Sequence, residues 1–255
     1  MSVILCLLSC SLSIYCCEPF EEITEIIESE LQPQSAVIFL HGTGESGPLM
    51  REIVESHIGS LSQYPSIRFI FPTAKAIPFR PFPWNGQITT SWIDGNVASI
   101  DCEVNYEVLD TSAALIDKWV QDQVLSGIPS DRICVVGYSN GATMSLVYGY
   151  EYAKKLGCVG GIAGFIPRTT NIRLNATRGQ NEIKTELPPL YLTGAAFDFI
   201  VFPSWVEETV QFYKSIGVRV IYNHQPLKSH FINTEALEGL LKFIVQTIDN
   251  LPCNK

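Results

Sequence analysis

The segment Val135-Val136-Gly137-Tyr138-Ser139-Asn140-Gly141-Ala142-Thr143 places a G-x-S-x-G motif between an apolar run and a stretch with helical periodicity. In this motif the serine occupies a strand-to-helix turn that is so sharp that only glycines fit on either side of it. The turn exposes the serine hydroxyl and directs N–H groups of the helix toward a developing oxyanion. The alternative is an ordinary Gly-Ser turn that ends a strand, but the strand-to-helix context favours a nucleophile. The segment therefore predicts a nucleophilic Ser139 with an oxyanion donor at the Asn140 N–H.

Outward from this motif, the chain alternates short β-branched runs with longer amphipathic stretches. The runs that predict strands span residues 36–40, 67–71, 133–136, 158–162, 190–192 and 218–222. The stretches that predict helices span residues 49–60, 103–126, 141–156, 204–216 and 234–251. Strands that are separated by crossover helices form a parallel sheet covered on both faces. We therefore predict an α/β fold of the α/β-hydrolase type, with a mostly parallel twisted sheet, in a single domain over residues 35–251.

A serine nucleophile needs a histidine base, and four histidines compete for this role. His41 precedes the serine and is interpreted as shaping a glycine-rich loop, whereas His57 lies on a predicted helix and is interpreted as a solvated surface residue. The other two follow the start of the last predicted strand. His224 continues that strand, but His230 lies in the loop beyond it, nearer to the carboxyl edge to which Ser139 points. The sequence therefore favours His230 as the base.

The acid and the second oxyanion donor are predicted in loops that follow strands. Asp198 is the single carboxylate between residues 188 and 206, after the fifth predicted strand. The resulting order of serine, aspartate and histidine is that of α/β-hydrolases. The second donor comes from the loop after the first strand, and the glycine-rich loop 41–47 offers the Thr43 N–H. These glycines also fit a phosphate-binding loop, but no Gly-Lys-Ser/Thr follows them.

Two long loops, at residues 72–100 and 164–188, interrupt the alternation of strands and helices. Loops of this length in a compact domain are usually functional, and their position after parallel strands places both at the carboxyl edge, where ligands bind. Apolar side chains in the first loop predict a wall for an acyl chain, with ordinary core packing as the open alternative. These side chains are Ile77, Phe79, Phe82, Trp84 and Trp92.

Composition limits the classes of partner and cofactor. The 255 residues are 46% apolar, which excludes a disordered or fibrous chain, and a formal net charge of −9 opposes binding to nucleic acid or anionic lipid. The cysteines after the first 17 residues (Cys102, Cys134, Cys158 and Cys253) have no C-x-x-C spacing and no nearby histidine pair, so we predict no metal site. Cys134 and Cys158 lie in apolar runs and are predicted to be free buried thiols, as in cytosolic enzymes.

Residues 1–17 form an uncharged leader that contains four of the eight cysteines. Its apolar run is shorter than the ~20 residues of a membrane-spanning helix but matches the apolar part of a secretory signal. Three interpretations stay open: a signal peptide, a tail acylated at Cys16 and Cys17, and a tail without defined structure. Membrane association is expected only through this leader, and the Asn175 glycosylation sequon matters only on the secretory route. The acidic segment 18–34 that follows fits a short helix or an edge strand.

Six motifs carry a family resemblance. They are Leu40-His41-Gly42-Thr43-Gly44-Glu45-Ser46-Gly47, Phe71-Pro72-Thr73-Ala74, Ser91-Trp92-Ile93-Asp94, Gly137-Tyr138-Ser139-Asn140-Gly141, Ser204-Trp205-Val206-Glu207-Glu208-Thr209 and Ser229-His230. Over about residues 35–245 the chain resembles the acyl-protein thioesterase and lysophospholipase/carboxylesterase family, most closely its lysophospholipase-like protein branch.

The resemblance implies a hydrolase of carboxylic esters or thioesters that needs no cofactor, with S-acylated proteins or small esters as substrates. It also favours the cytoplasm, with secretion as the alternative if the leader is a signal peptide. The residues it implies are Ser139, Asp198 and His230 as a triad, Thr43 and Asn140 at the oxyanion hole, and Trp92 beside the acyl site. The branch that the chain resembles has a shallow groove, which favours short acyl chains over palmitoyl groups.

The predicted acid loop departs from the family pattern. Thr193-Gly194 stands where the family has His-Gly, one additional residue precedes Asp198, and Phe199 replaces a proline. This departure leaves a second function open, in which the chain is a catalytically impaired relative that binds lipid or protein.

Overall fold

The computed structural model describes residues 23–29, 31–80, 85–94, 99–153, 155–178 and 187–249. The strands in these ranges are β1 (Thr24–Ile27), β2 (Ser35–Leu40), β3 (Ile67–Pro72), β4 (Ala76–Phe79), β5 (Gln87–Thr90), β6 (Ile133–Tyr138), β7 (Cys158–Ile162), β8 (Leu190–Ala195) and β9 (Val220–Gln225). The α-helices are α1 (Gly47–Ile58), α2 (Tyr106–Leu125), α3 (Asn140–Val147), α4 (Asn171–Thr177), α5 (Pro203–Ser215) and α6 (Thr234–Asp249).

Seven strands form one sheet in the order β1-β3-β2-β6-β7-β8-β9. Every neighbouring pair is parallel except β1 with β3, which is antiparallel. The predicted mostly parallel sheet is therefore confirmed. The acidic segment 18–34 was expected to form a short helix or an edge strand. Its described part forms β1 at the edge of the sheet, so the second alternative is confirmed. The leader, residues 1–17, lies outside the described residues.

Helices cover both faces of the sheet, as predicted. Side chains alternate between the faces along a strand, and in β2 Ile38 belongs to one buried cluster while Val37 and Phe39 belong to the other. The cluster around Ile38 includes apolar residues of α2, α3 and α5, whereas the cluster around Phe39 includes residues of α1 and α6. The central strands are thus buried on both sides, which explains why they appear in the sequence as nearly continuous apolar runs.

The helix predicted over residues 141–156 divides into two parts. The α-helix ends at Val147 and is followed by a π-helical turn, Tyr148–Tyr152, that closes when the Ala153 N–H donates to the Tyr148 carbonyl at 2.8 Å. Gly149 lies where the turn crosses β7, and a Cβ at this position would be 2.4 Å from Val159 Cγ2. Close contact between helix and strand therefore requires glycine here.

The two long loops contain secondary structure of their own. In the loop after β3, strands β4 and β5 form a two-stranded antiparallel hairpin. In the loop after β7, residues 171–177 form the short helix α4. Both loops begin at the carboxyl ends of parallel strands, so the sheet positions them on the side where the chain also leaves β6 at Ser139.

The prediction that Cys134 and Cys158 are free thiols is wrong, because the two residues form a disulfide. Cys134 in β6 and Cys158 in β7 are direct partners in the parallel register, with their Cα atoms 4.7 Å apart. Partners in register point to the same face of a sheet, and this register could not be derived from the spacing of the cysteines. The described Cys102 is free and buried, and burial raises its pKa to about 11.

No helix within the described ranges is both long and apolar enough to cross a membrane.

Candidate active site

Ser139 lies at the turn between β6 and α3 in a strained backbone conformation, with φ 52° and ψ −115°. A left-handed φ is uncommon for any residue other than glycine. The flanking glycines are required by space: a Cβ on Gly137 would be 2.4 Å from the Gly141 carbonyl, and a Cβ on Gly141 would be 2.4 Å from the Leu40 carbonyl oxygen. This packing holds the serine hydroxyl above the carboxyl edge of the sheet.

A continuous chain of hydrogen bonds joins Ser139, His230 and Asp198. His230 Nε2 is 2.9 Å from Ser139 Oγ, and His230 Nδ1 is 2.8 Å from Asp198 Oδ2. A carboxylate accepts only, so Nδ1 carries the proton and Nε2 is left to accept the serine proton. His230 is 8% exposed and Asp198 is 2% exposed. The arrangement is that of a nucleophile, a base and an orienting acid.

The loop that carries Asp198 departs from the family pattern but holds the carboxylate in place. Asp198 Oδ1 accepts the N–H groups of Ile200 and Val201 at 2.9 and 2.8 Å, which fixes the carboxylate. The Phe197 N–H donates to the Lys228 carbonyl in the loop that carries His230, at 3.0 Å. The two phenylalanines that flank Asp198 are exposed: Phe197 by 54% and Phe199 by 78%. Phe199, which replaces a proline of the family pattern, therefore faces solvent, whereas Thr193 is buried and the aspartate is directed inward.

His41 organises the glycine-rich loop from a fully buried position. Its Nδ1 lies 2.6 Å from the Gly42 carbonyl oxygen, and its Nε2 accepts the Ala74 N–H at 2.9 Å. These contacts require the neutral ring with the proton on Nδ1. Burial lowers the pKa of His41 to about 4. The ring is thus a fixed structural group at neutral pH and does not contact Ser139.

Thr43 and Asn140, the predicted oxyanion donors, both line a cavity above Ser139. Thr43 lies in a turn in which Gly44 has φ +79° and the Glu45 N–H donates to the Gly42 carbonyl. No residue in the described ranges accepts the Thr43 N–H. Asn140 is the first residue of α3, where backbone N–H groups have no intrahelical partner.

The cavity has a volume of about 190 Å³. Its polar lining residues include Ser139 and His230. Its apolar lining residues are Phe79, Phe165, Ile200 and Val201. The last three were missed in the sequence, although all three lie in loops that follow β7 and β8 at the carboxyl edge. Their position after strands was the available signal.

The residues predicted to bind substrate are distributed differently from the prediction. Phe79 lines the cavity, but Trp92 is fully buried and is not among the described residues that line it. The Trp92 indole instead donates to the His41 carbonyl at 3.0 Å, and its backbone N–H donates to Asn140 Oδ1 at 2.8 Å. Phe82 and Trp84 lie outside the described residues. Trp92 therefore connects α3, at Asn140, with the glycine-rich loop, at His41.

No group of three His, Cys, Asp or Glu side chains within the described part of the chain could hold a metal ion.

Comparison with known proteins assigns the family. A sequence profile for phospholipases and carboxylesterases matches residues 21–248. The chain belongs to the phospholipase/carboxylesterase family. It is therefore an esterase-type hydrolase with an α/β-hydrolase fold, and the resemblance recognised from its motifs is confirmed.

Individual relatives agree with this assignment. The chain is 28% identical to mouse lysophospholipase-like protein 1 over 83% of this chain and 86% of that protein. It is 30% identical to acyl-protein thioesterase 1 of Schizosaccharomyces pombe over 89% of this chain and 96% of that protein. The crystal structure of Zea mays acyl-protein thioesterase 2 shares the fold, with a TM-score of 0.71 and 24% identity, and the match covers 89% of this chain and 99% of that one.

Proposed function

We propose that this hydrolase cleaves carboxylic esters or thioesters through an acyl-enzyme formed on Ser139. The observation that carries the proposal is the hydrogen-bonded series from Asp198 to His230 to Ser139, with distances of 2.8 and 2.9 Å. A serine hydroxyl is unreactive at neutral pH unless such a base accepts its proton. The thioesterase and lysophospholipase-like relatives support esters and thioesters as the substrate class.

In the first half of the reaction, His230 Nε2 takes the Ser139 proton while Oγ forms a bond to the acyl carbon. The carbonyl electron pair moves onto its oxygen, which accepts hydrogen bonds from the Thr43 and Asn140 N–H groups. Asp198 stabilises the imidazolium that forms. The carbonyl then re-forms, the bond to the alcohol or thiol breaks, and His230 protonates the leaving group. Water repeats the cycle on the acyl-enzyme and releases the carboxylic acid.

The size of the cavity favours short acyl chains. Ligand pockets usually span ~300–1,000 Å³, whereas the cavity above Ser139 is about 190 Å³ and is lined by the apolar side chains of Phe79, Phe165 and Val201. A long palmitoyl chain would need to extend beyond it. We therefore propose esterase activity on short acyl groups ahead of depalmitoylation.

The disulfide between Cys134 and Cys158 bears on the cellular compartment of the protein. Free thiols at Cys134 and Cys158 had favoured the cytoplasm, but the two residues are bonded, and disulfides persist mainly in oxidising compartments. The family resemblance alone now supports the cytoplasm, and the disulfide supports the secretory alternative. Sequencing the mature amino terminus separates them: a start near Glu18 means secretion, and an intact Met1 or Ser2 rejects it.

The test of the proposed activity is hydrolysis of p-nitrophenyl esters with acyl chains of increasing length, from acetyl to palmitoyl, beside a palmitoyl thioester. Wild type is expected to hydrolyse the short esters fastest, and Ser139→Ala to lose this activity. Ser215→Ala, at an exposed serine near the end of α5, is the control. A fluorophosphonate should label wild type but not Ser139→Ala. If folded wild type shows no turnover and no labelling, the proposal is contradicted and a binding protein is favoured.

A further inference from the structure

Glu45 is a carboxylate of the active-site cavity that the reaction described above does not use. It lines the cavity together with Ser139 and His230. Its Oε2 accepts the N–H of Gly42 at 2.9 Å, and its own N–H donates to the Gly42 carbonyl at 3.3 Å. The side chain therefore binds back to the first residue of the turn that contains Thr43.

The turn requires this orientation to present its donor. In a four-residue turn the closing hydrogen bond joins the first and last residues, so the N–H of the second residue takes no part in it. Thr43 is that second residue. A rotation of the peptide before it would move the Thr43 N–H away from the cavity. That peptide is held through its Gly42 carbonyl, which lies 2.6 Å from His41 Nδ1 and accepts the Glu45 N–H. The contact from Glu45 Oε2 fixes the peptide on the other side of Gly42, so it limits rotation about Gly42 as a whole.

Other contacts hold the same loop in place without the carboxylate. The Gly44 N–H donates to the Thr90 carbonyl at 2.8 Å, the Thr90 hydroxyl donates to the Glu45 carbonyl at 2.6 Å, and the Gly47 N–H donates to Thr73 Oγ1 at 2.9 Å. These bonds tie the loop to β5 and to the end of β3. Loss of the Glu45 carboxylate is therefore expected to change the orientation of one peptide rather than the fold of the loop.

Glu45 also acts on His230 through its charge. Burial raises the pKa of Glu45, and the Gly42 N–H and the positive charge of protonated His230 oppose that rise. The Tyr138 ring packs against the His230 ring, with centroids 5.4 Å apart, and a Cβ on Gly42 would be 3.1 Å from the same tyrosine ring. Three titratable groups of the described residues lie near His230: Asp198 is hydrogen-bonded to it, Tyr138 packs against its ring, and Glu45 lines the same cavity.

We propose that Glu45 is a positioning residue of this active site: it orients the Gly42 peptide so that the Thr43 N–H faces the oxyanion, and its charge stabilises the His230 imidazolium. The proposal rests on the proposed function, because both effects act on the acyl-transfer step at Ser139. It adds a second carboxylate, from the oxyanion loop, to the one that Asp198 supplies from the loop after β8.

Two substitutions separate the two effects. Glu45→Ala removes both the hydrogen-bond acceptor and the charge, whereas Glu45→Gln keeps an oxygen that can accept the Gly42 N–H and removes only the charge. Loss of a complete oxyanion donor lowers kcat by about 10²–10³-fold. For p-nitrophenyl acetate we expect Glu45→Ala to lower kcat by roughly 10- to 100-fold, with KM changing much less. Glu45→Gln should retain most of kcat.

The pH profile of kcat/KM provides the readout that a purely structural role would not change. Removal of the Glu45 charge takes away a favourable interaction with a positive charge at His230, so the acid limb of Glu45→Gln should move to lower pH. Glu52→Ala, at an exposed glutamate on α1, is the control and should match wild type.

The outcomes are distinguishable from failure of the proposed function. Inactive wild type that resists fluorophosphonate rejects the esterase mechanism itself. With active wild type, a Glu45→Ala kcat within threefold of it, or a Glu45→Gln profile with an unshifted acid limb, overturns the role of Glu45. Thermal unfolding shows whether Glu45→Ala is folded. If it is not, the pH profile of Glu45→Gln decides.

Discussion

The side chain of Asn140 is bound to the backbone of Trp92: Asn140 Oδ1 accepts the Trp92 N–H at 2.8 Å. The same oxygen accepts the Ile93 N–H at 3.3 Å, and the Asn140 amide donates to the Ile93 carbonyl at 3.1 Å. Since the Trp92 indole donates to the His41 carbonyl, the buried segment 92–93 connects the helix that carries one proposed oxyanion donor with the loop that carries the other. Asn140 therefore serves the site with its side chain as well as its N–H.

Replacing this amide should cost stability. Asn140→Leu conserves volume but leaves two buried N–H groups and one carbonyl without their partner. Because each unsatisfied buried group costs about 1–3 kcal/mol, we expect a loss of roughly 3 kcal/mol in the free energy of unfolding. This corresponds to a fall of about 6–12 °C in Tm for a chain of this size. Differential scanning calorimetry measures it, with Asn171→Leu at an exposed asparagine as the control. Equal Tm values for both variants would contradict the connecting role of Asn140.

The assignment of the acid is tested at Asp198. In Asp198→Asn an oxygen can still accept the Ile200 and Val201 N–H groups, so the loop should stay folded. The amide that replaces Oδ2 cannot accept the proton of His230 Nδ1, which favours the wrong tautomer of the ring. We expect kcat to fall by about 10⁴-fold. Steady-state hydrolysis of a short p-nitrophenyl ester measures it, beside Asp122→Asn on the exposed face of α2. Turnover near the wild-type value would place the acid elsewhere.

Local patterns in the sequence predicted the sheet but not the contacts between its strands. The buried strands were visible because β-branched runs alternate with amphipathic stretches, and the order of strands and loops brought Ser139 and His230 to one edge. The disulfide was missed because strand register is set by tertiary pairing. Trp92 was placed beside the acyl site, whereas its side chain is buried behind the cavity, and nothing in the pattern of an irregular loop indicates which way a side chain points. The apolar wall at Phe165 and Ile200 was missed for the same reason.

Buried His41 makes stability depend on pH. Its pKa is lowered from 6.5 to about 4, so between these values the unfolded chain binds the proton more readily than the folded one. The contribution of neutral His41 to the free energy of unfolding is complete above pH 6.5. It is lost as the pH falls toward 4, and the loss is about 3 kcal/mol. Urea unfolding at pH 7, 5.5 and 4 measures it. His41→Gln does not titrate, so its free energy of unfolding should fall less steeply. Parallel curves for the two proteins would rule out this origin.

The disulfide between Cys134 and Cys158 makes a prediction that needs no activity. Trypsin releases these cysteines in separate peptides, residues 133–154 and 156–168. We expect the two peptides to run as one linked species without reductant and to separate after dithiothreitol. Alkylation of Cys102 in the same denatured, unreduced sample is the internal control, since that thiol is free.

Removing the bond should destabilise the fold, since a cross-link limits the conformations of the unfolded chain. The cysteines are separated by 24 positions, and closing a loop of this length is worth roughly 3 kcal/mol. A double variant with Cys134→Ala and Cys158→Ala should therefore lose more than this in the free energy of unfolding by urea, measured against oxidised wild type, because it loses the cross-link and the volume of both sulfurs. Reduced wild type should lie between the two, because it keeps the volume of both sulfurs in the core. Alkylation of both cysteines in the unreduced protein would show instead that they are thiols.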